Sequence, residues 1–150
     1  MQRWFYLPTL MLVALTAGCG SGYNNPTTNV GLFGNWNVAM YATGDVNPVY
    51  VFGLAISQEG SSNYSGSSIT YNGGLTIPTN MCINAKTLSA TASTSGTNFT
   101  MTITDATSGT VINVQGTIPT QTTSSISGTY SNAANQSCPA SSGTMSMVAQ

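Results

Sequence analysis

The chain has 150 residues, about the length of one domain, and five charged side chains: Arg3, Asp45, Glu59, Lys86 and Asp105. Nothing here can neutralise a row of phosphates, so a nucleic-acid binder is excluded, and with 41% hydrophobic residues charge-driven disorder is excluded too. Histidine is absent, while Ser, Thr, Asn and Gly together make 72 residues, a composition poor in helix formers.

In chain order, the first element is an address. Arg3 supplies a positive charge, Trp4 to Ala17 is a mostly apolar run, and Leu15-Thr16-Ala17-Gly18-Cys19 closes it. The run is shorter than the ~20 residues a membrane-spanning helix needs, and it fits the core of a signal peptide over residues 1–18. Its end resembles the lipobox of bacterial lipoproteins, with small residues before an obligatory Cys; Thr16 stands where Leu is commonest. The resemblance implies cleavage before Cys19 and lipidation of Cys19, by diacylglycerol on its sulfur and an acyl chain on its amine. Several chains make a lasting anchor where a single one does not. Gly20, rather than Asp, follows Cys19, which for this family implies the outer membrane. Residues 19–31, rich in Gly, Asn, Thr and Pro, read as a flexible tether, leaving residues 32–150 as a single β domain.

The body alternates. Trp36, Val38 and Met40 share one face, and Tyr50, Phe52, Leu54 and Ile56 another. In Phe99-Thr100-Met101-Thr102-Ile103-Thr104 apolar residues and Thr alternate with period two, and Thr is itself a good strand former. Ile112, Val114, Gly116 and Ile118 form a further face, as do Ile126, Gly128 and Tyr130, and Met145 with Met147. Turn residues punctuate the runs at Gly44-Asp45, Glu59-Gly60, Asn72-Gly73-Gly74, Ser95-Gly96 and Asp105 to Gly109. Asn-Gly is the strongest short hairpin signal. The pattern predicts eight or nine strands, near 33–42, 49–58, 62–71, 74–77, 86–93, 98–104, 110–118, 124–131 and 143–149. The connections are too short for crossover helices, so an all-β antiparallel meander is expected. Glycines recur inside the strands at Gly116, Gly128 and Gly143, which favours the bends of a closed barrel over a two-sheet sandwich.

With Cys19 lipidated, Cys82 and Cys138 remain, an even number that reads as one disulfide in an exported chain. No His and no third ligand accompany them, so neither a metal site nor a cofactor is expected. A Ser or Cys nucleophile would lack a His base, and a Ser–Lys pair would need Lys86, which reads as a solvated edge residue. The carboxylates Asp45, Glu59 and Asp105 all fall in turns, where Asp caps its own backbone. The expectation is a protein without catalysis.

Two further motifs carry resemblances. Leu32-Phe33-Gly34-Asn35-Trp36 looks like the Gly-x-Trp that opens the first strand of lipocalin-like and avidin-like barrels, which implies that Trp36 plugs the barrel floor or lines a ligand site. Tyr64 to Tyr71, Tyr-Ser-Gly-Ser-Ser-Ile-Thr-Tyr, is similar to the Ser-Gly strand and loop of periplasmic C-type lysozyme inhibitors; that family's basic residue could here be only Lys86. Aromatics among Asn, Ser and Thr suit stacking on neutral sugars, which makes Trp36, Tyr41, Tyr64 and Tyr71 candidate ligand-binding residues. The expected function is a lipid-anchored envelope protein acting by binding or as a structural component. Its partners would be the membrane through Cys19 and a neutral glycan or an envelope protein, with no nucleic acid. A small-ligand barrel and a hydrolase inhibitor are the alternatives. An internal cavity at Trp36, Phe52 and Met101 would mark the first, and a protruding Ser65–Ser68 loop the second.

Overall fold

A computed structural model describes residues 31–75, 82–119 and 124–150. The expected signal peptide over residues 1–18, Cys19 and most of the expected tether over residues 19–31 lie outside the described residues. Eight strands form: β1 (Gly34–Ala42), β2 (Tyr50–Gln58), β3 (Asn63–Ile69), β4 (Leu88–Ser95), β5 (Asn98–Asp105), β6 (Val111–Thr117), β7 (Ser125–Asn132) and β8 (Ser141–Ala149). Each pairs antiparallel with the next, and β8 pairs with β1, closing an eight-stranded barrel.

Closure follows from the alternation. Register pairs such as Val38↔Phe52, Val38↔Met147 and Ile103↔Ile112 carry one apolar set around the inside of the wall. Eight strands enclose a space that side chains can fill. Trp36, Phe52 and Met101 are 0%, 0% and 2% exposed and belong to one packed cluster with Leu54, Ile103, Val114 and Met145. The outer positions of β4 to β8 are Ser, Thr, Asn and Gln with a few Val. Gly116 and Gly128 face each other across β6 and β7. The Phe99 ring occupies the space a Gly116 Cβ would need, so the missing side chains make room for a large one at a crowded point of the wall.

The meander places the β1–β2, β3–β4, β5–β6 and β7–β8 connections at one end, here the disulfide end. The chain start, the other three connections and the C-terminus lie at the opposite, tether end. Trp36 sits near the tether end and donates from Nε1 to the Leu32 carbonyl at 2.9 Å. Trp36 is fully buried there as part of the core. Near the other end the rings of Tyr50 and Tyr130 meet edge to face at 5.8 Å, and the Tyr50 hydroxyl donates to Asn132 Oδ1 at 3.1 Å.

Two expectations need correction. The Asn72-Gly73-Gly74 signal makes no hairpin: Gly74 and Leu75, the first residues of the expected 74–77 strand, are not in a strand. Instead the chain leaves the wall after Ile69 and crosses the outside of β2 and β1 as a strap. The Asn72 N–H donates to Asn37 Oδ1 at 2.9 Å, and Gln150 Nε2 bonds both Asn37 Oδ1 at 2.9 Å and the Thr70 carbonyl at 2.5 Å. The crossing requires Gly53, where a Cβ would lie 2.6 Å from the Ile69 oxygen. Second, β4 begins at Leu88, so Lys86 belongs to the preceding loop and not to a strand edge. Ser65 to Ser68 form the middle of β3, within the expected 62–71 strand, and so do not make the protruding loop that would mark an inhibitor.

Candidate binding site

The disulfide end is built around a carboxylate. Period two in β5 puts Asp105 on the same face as Phe99, Met101 and Ile103, so it points inward at the strand's end and is 1% exposed. A charge there requires full hydrogen bonding. The Thr107 N–H donates to Oδ1 at 2.9 Å and the Ser108 hydroxyl to Oδ2 at 2.8 Å, as a turn-capping Asp predicts. Two more donors come from the β3–β4 connection: the Asn84 N–H at 2.8 Å and the Thr87 hydroxyl at 2.6 Å. Burial opposes the charged form, but the bonds from Thr87, Thr107, Asn84 and Ser108 outweigh it and hold the carboxyl at about 2.

This cluster ties three connections together. The Cys82 carbonyl accepts from the Ser108 hydroxyl at 2.7 Å and from the Thr110 hydroxyl at 2.8 Å. Asn135 Nδ2 donates to the Thr110 hydroxyl at 3.0 Å, and Asn135 Oδ1 accepts from the Cys138 N–H at 2.8 Å. Cys82 and Cys138 are joined as a disulfide, their Cα atoms 4.9 Å apart. With Cys82, Ile83 and Ala85 packed against the core, the loop before β4 is a fixed part of the wall.

The four aromatic candidates separate. Trp36 is core and meets no solvent. Tyr64 is half-buried on β3 toward the tether end, where it shares a surface hollow with Ser61, Thr94 and Ile118. Tyr41 and Tyr71 come together, the first from the outward face of β1 and the second from the strap, both half-buried. Burial raises the Tyr71 phenol above its ordinary value, the Leu75 N–H partly offsets this, and the nearby Tyr41 raises it further.

Lys86 lines a cavity of about 400 Å³ beside Tyr71. Of the other carboxylates, Asp45 shares the disulfide end with Asp105, its N–H bonded to the Ala42 carbonyl at 2.9 Å in the β1–β2 turn. Glu59 lies at the tether end, bonded to the Ser65 hydroxyl at 2.5 Å. The barrel's height of roughly 20 Å, about six residues of strand, separates Glu59 from the other two. Among the described residues no group of three His, Cys, Asp or Glu side chains could hold a metal ion.

No protein-family model, no curated protein and no solved structure matches the chain. The lipocalin-like and inhibitor-like resemblances therefore stay at the level of short motifs, and function is read from the chemistry of the site.

The turn context marks Asp105 as a self-capping residue and does not reveal the cluster that joins three connections. The available signal was parity: extending the β5 alternation by one residue past Thr104 turns Asp105 inward. The cavity beside Lys86 had no local signal, because the strap that forms one of its sides is a tertiary feature.

Proposed function

We propose that this chain is a lipid-anchored, non-catalytic protein of the bacterial envelope, held by Cys19 at the outer membrane and acting through the surface of its barrel on a neutral glycan or another envelope protein. The observation that carries the reading is the apolar run ending in Leu15-Thr16-Ala17-Gly18-Cys19 ahead of a polar-walled barrel. A barrel that spans a bilayer turns an apolar band outward. Here the apolar residues of β5 and β7 point in and hydroxyls point out, so membrane attachment falls to the lipid. The absence of catalysis is supported by the state of the carboxylates, since Asp105 is buried and engaged by its donors and Glu59 is at the far end from it.

The packed interior at Trp36, Phe52 and Met101 weighs against a central ligand chamber, and the strand conformation of Ser65 to Ser68 weighs against an inhibitory loop. Replacing Cys19→Ala tests the anchor. The variant should leave the membrane fraction and lose labelling by a palmitate analogue, and continued fractionation with membranes would refute the lipobox reading.

A further inference from the structure

One stretch of wall departs from the meander's regularity. β3 pairs with β4 only from Asn63↔Ser93 to Ser67↔Ser89, whereas on its other side it pairs with β2 as far as Gly53↔Ile69. Past Ser67 the chain peels outward into the strap, and Ile83 and Ala85, ahead of β4, pack against the core. The fit is incomplete. A cavity of about 400 Å³ remains, lined by Ser68, Ile69, Tyr71, Ala85 and Lys86, with the fully buried Phe52 behind it.

We propose that this lateral cavity is a binding site for a small amphipathic anion, a monocarboxylate carrying one ring or a short alkyl body. Three features select that class. The volume lies at the lower end of the roughly 300–1,000 Å³ of small-molecule sites, which limits the body to about a single ring system. Burying that body against Ile69, Ala85 and the Tyr71 ring supplies the hydrophobic drive. Lys86, the one Lys or Arg among the described residues, is exposed and lines the cavity, so it offers the positive charge that an anion there would meet. The Asp105 carboxylate is engaged by the Asn84 N–H and the Thr87 hydroxyl of the same loop and not by Lys86. The site is preformed, because the disulfide and those same bonds fix the loop that carries Ala85 and Lys86.

The site differs from a central barrel chamber, and it does not depend on the lipid anchor. Its test is calorimetric titration of the purified full chain with phenylacetate, and with phenylacetamide as the neutral analogue. Phenylacetate should bind saturably at one site, with phenylacetamide at least tenfold weaker. Lys86→Met, at an exposed position, should keep its melting temperature and weaken phenylacetate at least tenfold. Ala85→Phe, which fills the cavity, should abolish binding of both. Failure of phenylacetate to saturate overturns the site, as does binding unaffected by Ala85→Phe. Equal binding of the amide, or undiminished binding by Lys86→Met, overturns the selection for an anion. None of these outcomes bears on Cys19, so the cavity and the anchor stand or fall separately.

Discussion

At the scale of single residues, Asp105 does the most for the disulfide end. Its carboxyl is held at about 2, below the ordinary 3.8, so the folded state favours the ionised form. The stability this contributes is present in full above about pH 4 and is lost as pH falls toward 2. The shift corresponds to about 2 kcal/mol. Urea midpoints followed from pH 6 to pH 2 should fall more steeply below pH 4 for the parent than for Asp105→Asn, which has no proton to bind at that site. At neutral pH, Asp105→Ala should cost about 3 kcal/mol, because the N–H groups of Asn84 and Thr107 and the hydroxyls around them lose a charged acceptor. A variant as stable as the parent would contradict the role given to the cluster. Little of this could be read from the sequence. Turn chemistry accounts for Thr107 and Ser108, which are two and three residues away, but Asn84 and Thr87 are brought in by folding alone.

At the scale of elements, the strap and the disulfide loop decide the shape of the wall. Gly53 lies on an outward position of β2, where Val would ordinarily suit a strand, yet its Cβ would meet the Ile69 and Thr70 carbonyl oxygens at 2.6 and 2.8 Å. Gly53→Val should therefore destabilise by about 2 kcal/mol through overpacking. Ala55→Val, on the same strand and the same face, should change the melting temperature little. Similar losses for both would mean that the strap does not press on Gly53. The disulfide closes 56 residues of chain, which gives roughly 4 kcal/mol in the chain-entropy model. Reduction should lower the melting temperature and, by releasing the loop that carries Lys86, weaken phenylacetate before the barrel unfolds. Calorimetry with and without reductant checks this, and binding indifferent to reduction would argue that the cluster alone fixes the loop.

Strand positions were legible because inside and outside alternate in sequence: the expected 49–58 and 98–104 runs fall within a residue of β2 and β5. The Asn72-Gly73 turn misled because a local hairpin signal specifies a bend and not the partner on its far side. The partners here are Asn37 and Gln150, 35 and 80 residues from the strap positions they bond.

At the scale of the whole molecule, the barrel divides its tasks between its ends. The tether end carries the buried Trp36 and receives the segment that leads back to Cys19. The disulfide end carries the Asp105 cluster, the Tyr41–Tyr71 pair and the lateral cavity. The two ends are roughly 20 Å apart, so the proposed anchor at one would leave the other free to face a partner. Architecture was legible at this scale too, since short connections and alternating strands leave little besides a meander, and the strand glycines pointed to closure. The site's ligand class was not, because it depends on where a single lysine meets a gap between strands that the period-two pattern cannot show.

Lipid attachment through Cys19 is the centre of the proposed function. Mass spectrometry of the N-terminal peptide of the mature protein, isolated from membranes of a bacterial host, tests it most directly. The predicted result is a chain beginning at Cys19 and carrying a diacylglyceryl group on sulfur with an amide-linked acyl chain. A mature chain that begins elsewhere, with Cys19 unmodified or removed, would contradict it.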